Sequence, residues 1–444
     1  MEFKITTGVK TAMEQKLRFN QRLAAGLLTI GLITISTPIF AGNTLDGMNA
    51  LAPAPLSKTA TSNRPIIIPD APKINAQAFV LIDANSHKII ASENADTHRA
   101  PASLTKLMTL YVAFDALKHG QIKLDDKVTV SKKAWQTGGS RMFLNVGQVV
   151  TVKDLIQGII VDSGNDAAVA LAEYIGGSED AFTSIMNQEA QRIGMTESHF
   201  TDANGLPHPN HYSSARDLAI LASSIVNNFP EYYPFFSEKR LTFNGITQPN
   251  RNRLLWRYES ADGLKTGHTK EAGYCLVSSA KQNGMRLISV VMGAPTDSAR
   301  AADSIKLLTY GFRFYKTYKL YGANEKITDA RIWKGEDKKI PAGLSHSLYV
   351  TVPVGQYGNL AANAVLNNPI SAPVSQGQQL GMLDLTLNNK PYKQTPLVAL
   401  KDDPKGGIWR QFSDTVSRSI HNMFNRKKKE DVTTADANAS ATKS

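Results

Sequence analysis

Apolar residues change their spacing along the chain, and the changes divide it. Two apolar runs, Ala78-Phe79-Val80-Leu81-Ile82 and Lys88-Ile89-Ile90-Ala91, flank the turn residues Ala84-Asn85-Ser86-His87, which predicts a hairpin of two buried strands. After Pro101, the residues Leu107, Met108, Leu110, Tyr111, Phe114 and Leu117 recur at helical spacing until Gly120. This helix opens near Ser103 and is apolar on most of its circumference, so it should be central. Helical periodicity returns at 152–160, 166–175, 180–193 and 215–226, with Gly176-Gly177 separating the second from the third of these. Strands are predicted at 273–280 and 285–292, and a last helix at 301–315. Strands and helices thus fall into separate regions, which predicts an α+β domain on an antiparallel sheet rather than alternating βαβ units.

Beyond Tyr321 short alternating runs take over, such as Leu348-Tyr349-Val350-Thr351-Val352 and Leu383-Asp384-Leu385-Thr386-Leu387, the latter closed by Asn388-Asn389. They predict a small all-β domain over 321–402. From 408 to 424 the pattern becomes amphipathic, with Ile408, Phe412, Val416, Ile420 and Phe424 at steps of four, followed by Arg426-Lys427-Lys428-Lys429. A helix of this kind over 403–430 suits the interface of an anionic bilayer, and the polar residues 431–444 read as a disordered tail. At the other end, basic residues precede the apolar run from Leu23 to Ile35, then Pro38 and Ala41, the layout of a secretory signal over 1–41. Residues 42–73, rich in Ala, Pro, Ser, Thr and Asn, read as a linker to the main domain at 74–320.

The 444 residues are 42% apolar and 20% charged, which excludes wholesale disorder and a polytopic membrane protein. Most of the net charge of +12 lies at the two ends, so no basic stripe crosses the folded part and nucleic acid is not an expected partner. Cys275 stands alone, which rules out an intramolecular disulfide and a four-cysteine zinc site. No metal or other cofactor is expected, since the nine histidines show no H-E-x-x-H.

Three short elements carry candidate chemistry: Ser103-Leu104-Thr105-Lys106, Ser163-Gly164-Asn165 and Lys265-Thr266-Gly267. Singly the first two are weak, for Ser-x-x-Lys recurs at Ser278 and Ser440, whereas Lys-Thr-Gly occurs once. Their order and context add force. The first opens a helix, the second precedes a helix, and the third precedes a strand. An offset of three places Lys106 on the face of Ser103, where a neutral lysine can take the hydroxyl proton. Burial or a neighbouring cation such as Lys265 would lower its pKa enough for that. Ser163 is placed to relay a proton to a leaving amine, and Asn165 to present an amide to a peptide. Asp166 beside them reads as a first-turn helix residue rather than a general acid.

Together these motifs resemble those of the D-alanyl-D-alanine carboxypeptidases, the low-molecular-mass penicillin-binding proteins of the serine β-lactamase superfamily. Supporting stretches are Tyr212-Ser213-Ser214-Ala215-Arg216-Asp217, Asn250-Arg251-Asn252-Arg253-Leu254-Leu255-Trp256 and Asp262-Gly263-Leu264-Lys265-Thr266-Gly267-His268-Thr269. The resemblance implies removal of the terminal D-alanine from peptidoglycan pentapeptide through an acyl-enzyme that β-lactams also form. It implies Ser103 as nucleophile, Lys106 as base, Ser163 and Asn165 as second motif, and Lys265, Thr266 and Gly267 as the strand closing the pocket. The backbone N–H groups of Ser103 and His268 would form an oxyanion hole, and Arg300 would steer the substrate's terminal carboxylate. An exported enzyme held peripherally on the outer face of the inner membrane, in the periplasm, completes this expectation. Alternatives on the same machinery are a D,D-endopeptidase and a β-lactamase, the latter disfavoured because no E-x-x-L-N occurs; a non-catalytic wall-binding scaffold is the alternative of another class.

Overall fold

A computed structural model describes residues 67–410, with Ala50, Leu51 and Asp414. The expected signal segment, most of the linker, most of the amphipathic helix and the tail lie outside the described residues.

The main domain is built on five antiparallel strands: β1 (Ala78–Asp83), β2 (Ile89–Glu93), β3 (Ala261–Thr269), β4 (Gly273–Gln282) and β5 (Met285–Ala294), in the order β2-β1-β5-β4-β3. All six residues of β1 are buried, because both faces of the sheet are covered. Ala78, Val80 and Ile82 point into the core shared with the helical region, whereas Phe79 and Leu81 pack with Leu307 and Leu308 of the helix Asp297–Phe314. The hairpin forms where the sequence predicts it, but only its first strand is buried. β2 lies at the sheet edge and is half exposed, since it has a neighbour on one side alone.

The helical region holds α1 (Lys106–Lys118), α2 (Val152–Val161), α3 (Asn165–Gly176), α4 (Glu179–Arg192) and α5 (Ala215–Asn228), and α6 (Asp297–Phe314) covers the opposite sheet face. α1 is central, with every residue buried except Asp115 and Lys118. Thr151, Ser178, Ser214 and Thr296 cap α2, α4, α5 and α6, each accepting a backbone N–H three residues on. The expected linker ends earlier than Lys73: Ile68, Ala71 and Ile74 pack against the α6 core, and Tyr310 Oη donates to the Pro69 carbonyl at 3.0 Å. Within that same stretch Ala50–Leu51 pair with Ala362 and Asn363.

The β domain begins at Tyr315 rather than Tyr321, because strand Tyr315–Tyr321 pairs antiparallel with Leu348–Pro353. The hairpin Gln379–Leu387/Lys390–Ala399 turns through Asn388 and Asn389, both at positive φ, the two-residue turn that matches strand twist. A buried hydroxyl chain joins the domains: Thr317 Oγ1 donates to Asp83 at 2.6 Å and meets Thr351 Oγ1 at 2.8 Å, and Thr351 meets Ser86 Oγ at 2.6 Å.

Candidate active site

The nucleophile candidate sits on a 3₁₀ turn, Ala102–Thr105, that feeds directly into α1. Two segments press on this turn. On one side Gly205, at φ +84°, runs so close that a side chain there would overlap the Ala102 carbonyl. On the other is the outer edge of β3, the last strand of the sheet. Ala102 itself is held at φ +49°, a conformation costing a non-glycine residue on the order of 1–3 kcal/mol that its surroundings must enforce.

Lys106 is fully buried, and its Nζ lies 2.9 Å from Ser103 Oγ, 2.7 Å from Asn165 Oδ1 and 2.6 Å from the Asn204 carbonyl. Burial lowers its pKa to about 7, helped by Arg251 and opposed by Asp202 and Asp166. A neutral amine has two N–H donors and one lone pair. The amide and main-chain oxygens accept both donors, so the lone pair is left for the Ser103 hydroxyl. The site therefore orients its own base.

Ser163, also left-handed at φ +60°, accepts from Lys265 Nζ at 2.8 Å, and Lys265 donates again to the Thr266 carbonyl at 3.1 Å. Burial brings Lys265 well below the ordinary lysine range, reinforced by Lys106, Arg251 and Arg300. Asn165 reaches the Gly138 carbonyl through Nδ2 at 2.6 Å, while its backbone N–H donates to the Ser140 carbonyl at 2.7 Å. Asp166 serves the same loop. Its two carboxylate oxygens accept from Met142 N at 2.9 Å and Leu144 N at 3.1 Å, which fits the first-turn reading and excludes it as a free acid.

The structure thus brings Ser103, Lys106 and Asn165 into one hydrogen-bonded group and Ser163 and Lys265 into a second, with the charge of Lys106 bearing on Lys265. Thr266 and Gly267 follow Lys265 on β3, and His268 is exposed beside Tyr274, ring centroids 4.0 Å apart. Arg300 is tied into the fold. It lies in the first turn of α6, only 7% exposed, with Nη1 on the carbonyls of Gly267 (2.9 Å) and Cys275 (3.2 Å) and Nη2 on Asp297. Its guanidinium therefore braces the pocket strand from behind.

Sequence reasoning assigned no role to Asn204, Arg251 or His211. Asn204 offers a main-chain oxygen, which no residue type announces; the adjoining Gly205 was the available signal. Arg251 Nε donates to the Asp162 carbonyl at 3.0 Å, and His211 Nε2 meets Thr105 Oγ1 at 2.8 Å inside the nucleophile motif. Among the described residues no group of His, Cys, Asp and Glu is arranged to hold a metal ion.

A family profile described as D-alanyl-D-alanine carboxypeptidase matches residues 66–296, and one described as penicillin-binding protein 5, C-terminal domain, matches 315–405. The chain belongs to the D-alanyl-D-alanine carboxypeptidase family. It is a serine hydrolase of that family, a D-alanyl-D-alanine carboxypeptidase of peptidoglycan. The D-alanyl-D-alanine carboxypeptidase DacC of Escherichia coli K12 is 44% identical over 363 residues, covering 80% of this chain and 91% of that one. DacF of Bacillus subtilis is 38% identical over 339 residues, covering 75% and 87%. Penicillin-binding protein 5 from Haemophilus influenzae superposes with a TM-score of 0.72 at 43% identity, over 76% of this chain and 99% of that one. The ampicillin-bound penicillin-binding protein D2 of Listeria monocytogenes does so at 0.51 and 30% identity, over 55% and 100%.

Proposed function

We propose that Ser103 is the nucleophile of this carboxypeptidase, Lys106 its base, and Ser163 the proton relay to the leaving amine. The observation carrying this is the Lys106 geometry, in which two accepting oxygens leave only the serine for the lone pair. Lys106 takes the Ser103 proton while Oγ bonds to the carbonyl carbon of the penultimate D-alanine. The scissile C–N bond then breaks, and the departing amine takes a proton from Ser163, which is resupplied through Lys265 with the proton that Lys106 took from Ser103, so that Lys106 is neutral again. Water attacks the resulting ester, its proton passing to Lys106, and Ser103 is regenerated. β-Lactams acylate the same oxygen. The backbone N–H groups of Ser103 and His268 are the assigned oxyanion donors, and Asn165, Thr266 and Gly267 line the substrate channel, with Arg300 contributing charge behind it. The decisive experiment is release of free D-alanine from a peptide ending in D-alanyl-D-alanine, beside S103A. Loss of both release and β-lactam acylation in a folded S103A supports the assignment, and a folded S103A that still acylates overturns it.

The same reading includes export by the segment 1–41 and peripheral attachment to the outer face of the inner membrane. It is supported by the amphipathic pattern of 408–424 and by the helix's opening residues, where Ile408 and Trp409 are 85% and 87% exposed.

A further inference from the structure

The loop 202–205 gives its backbone to side chains. Ala203 N–H donates to Glu179 Oε1 at 3.2 Å, and the Ala203 carbonyl accepts from Thr109 Oγ1 of α1 at 2.6 Å. The N–H groups of Asn204 and Gly205 both donate to Asp202 Oδ1, at 2.8 and 2.5 Å, while the Asn204 carbonyl accepts from Lys106 Nζ at 2.6 Å. The single peptide unit between Asn204 and Gly205 therefore carries a carboxylate on its N–H and the base on its C=O. An amide that donates to a charged acceptor becomes a stronger acceptor itself, so these two bonds reinforce one another.

Asp202 is fixed from its other side as well. Its Oδ2 lies 3.5 Å from Nδ1 of the buried His211, whose Nε2 meets Thr105 Oγ1 at 2.8 Å inside the nucleophile motif. These contacts close a ring that runs from Asp202 through the Asn204–Gly205 peptide to Lys106, along the turn to Thr105, and back through His211. Burial alone would raise the Asp202 pKa, but His211 and the N–H groups of Gly205 and Asn204 outweigh it and hold the carboxyl below its ordinary value, so it is charged at neutral pH. The other charges bearing on Lys106 are Arg251, ahead of the short helix Leu254–Arg257, and Asp166 in the first turn of α3, with Lys265 of β3 coupled to it in turn. Asp166 is occupied by Met142 N and Leu144 N, whereas Asp202 reaches Lys106 through shared hydrogen bonds.

We infer that Asp202 is a positioning residue for the base: its carboxylate polarises the Asn204 carbonyl toward Lys106 and steadies the ammonium that forms when Lys106 takes the Ser103 proton. The proton moves from Ser103 Oγ to Lys106 Nζ and no further in this step. Asp202 stays ionised and acts across the peptide, and His211 ties the same carboxylate to the nucleophile turn, so that base and nucleophile are held by one group. The inference rests on Lys106 as base, which K106R tests by itself.

The experiment measures β-lactam acylation against pH for wild type, D202N and D202A, with thermal melting on the same samples. Asparagine keeps an oxygen for both N–H groups and loses the charge. Without that charge the Lys106 ammonium is less favoured, so in D202N the limb on which acylation rises with pH should move down by about one unit from its wild-type place near 7. The plateau above it should fall about tenfold, because a weaker base takes the Ser103 proton less readily. D202A also strips the acceptor from Asn204 N and Gly205 N, and should lose about 100-fold as the loop shifts. A residue that only held the loop would lower the D202N rate with the limb in place, and that result overturns the inference, as does a limb that moves up or a D202N profile identical to wild type. D202E keeps the charge and should keep the limb at its wild-type pH even where its rate is low; a displaced limb in folded D202E overturns the inference whether or not D202N folds. A wild type without a rising limb near pH 7 would instead remove Lys106 as the base.

Discussion

Gly267 lies against the nucleophile turn so closely that a Cβ on it would come within 2.9 Å of the Pro101 carbonyl oxygen and 3.2 Å of Leu104 N. Both are backbone atoms beside Ser103, so neither has a flexible side chain with which to yield. The strand carrying Lys265 is set by this contact, and the width of the channel with it. G267A should retain the fold and lose about 100-fold in β-lactam acylation rate, the usual effect of displacing a reacting group by about 1 Å. Stopped-flow acylation with a chromogenic β-lactam reads it directly.

Lys106 acts as base only when neutral, and its pKa lies near 7. Acylation should therefore rise with pH through about 7. K106R keeps a permanent cation in the same cavity and should lose about a thousandfold in kcat/KM for D-alanine release while still folding. Stability carries the opposite face of this shift. Lys106 binds its proton less readily in the native state than unfolded, so its burial costs most below pH 7, and the cost fades as pH rises toward the ordinary lysine value. A melting-temperature series of K106M against wild type should show the greatest gain at the acid end.

Asp166 holds the loop that in turn holds Asn165. D166A leaves the buried N–H groups of Met142 and Leu144 without acceptors, a loss of about 2–4 kcal/mol in urea unfolding. Activity should fall further than stability explains, because Asn165 Oδ1 also orients Lys106. Kinetics at a temperature where both proteins are folded separates the two effects.

Deleting the chain from Ile408 onward removes the amphipathic segment and its basic end. The truncated protein should keep full D-alanine release and lose sedimentation with vesicles containing phosphatidylglycerol. Intact protein should sediment with them less at high salt, since each exposed Lys or Arg near an anionic surface contributes about 1 kcal/mol. Undiminished sedimentation of the truncated chain would place the contact elsewhere.

Local pattern alone was enough to divide this chain into an antiparallel α+β domain and a β domain, to predict the central helix and the Asn388-Asn389 hairpin, and to mark Ser103, Lys106, Ser163, Asn165 and Lys265 as one set. Each of these rests on period, turn chemistry or spacing, which act over a few residues. What the pattern could not decide depends on packing between segments far apart in the chain. β2 is as apolar as β1 at its start, yet it is an edge strand because no sixth strand pairs with its outer side. Tyr315–Tyr321 belongs to the β domain because its partner lies at 348–353. Arg300 braces a strand because α6 folds over β4, and a solvated and a buried arginine look alike in sequence. The Asn204 carbonyl and the Asp202 carboxylate behind it are the extreme cases. A main-chain oxygen has no residue type, and the cost of a charge is set by the water and the partners that the folded chain takes away.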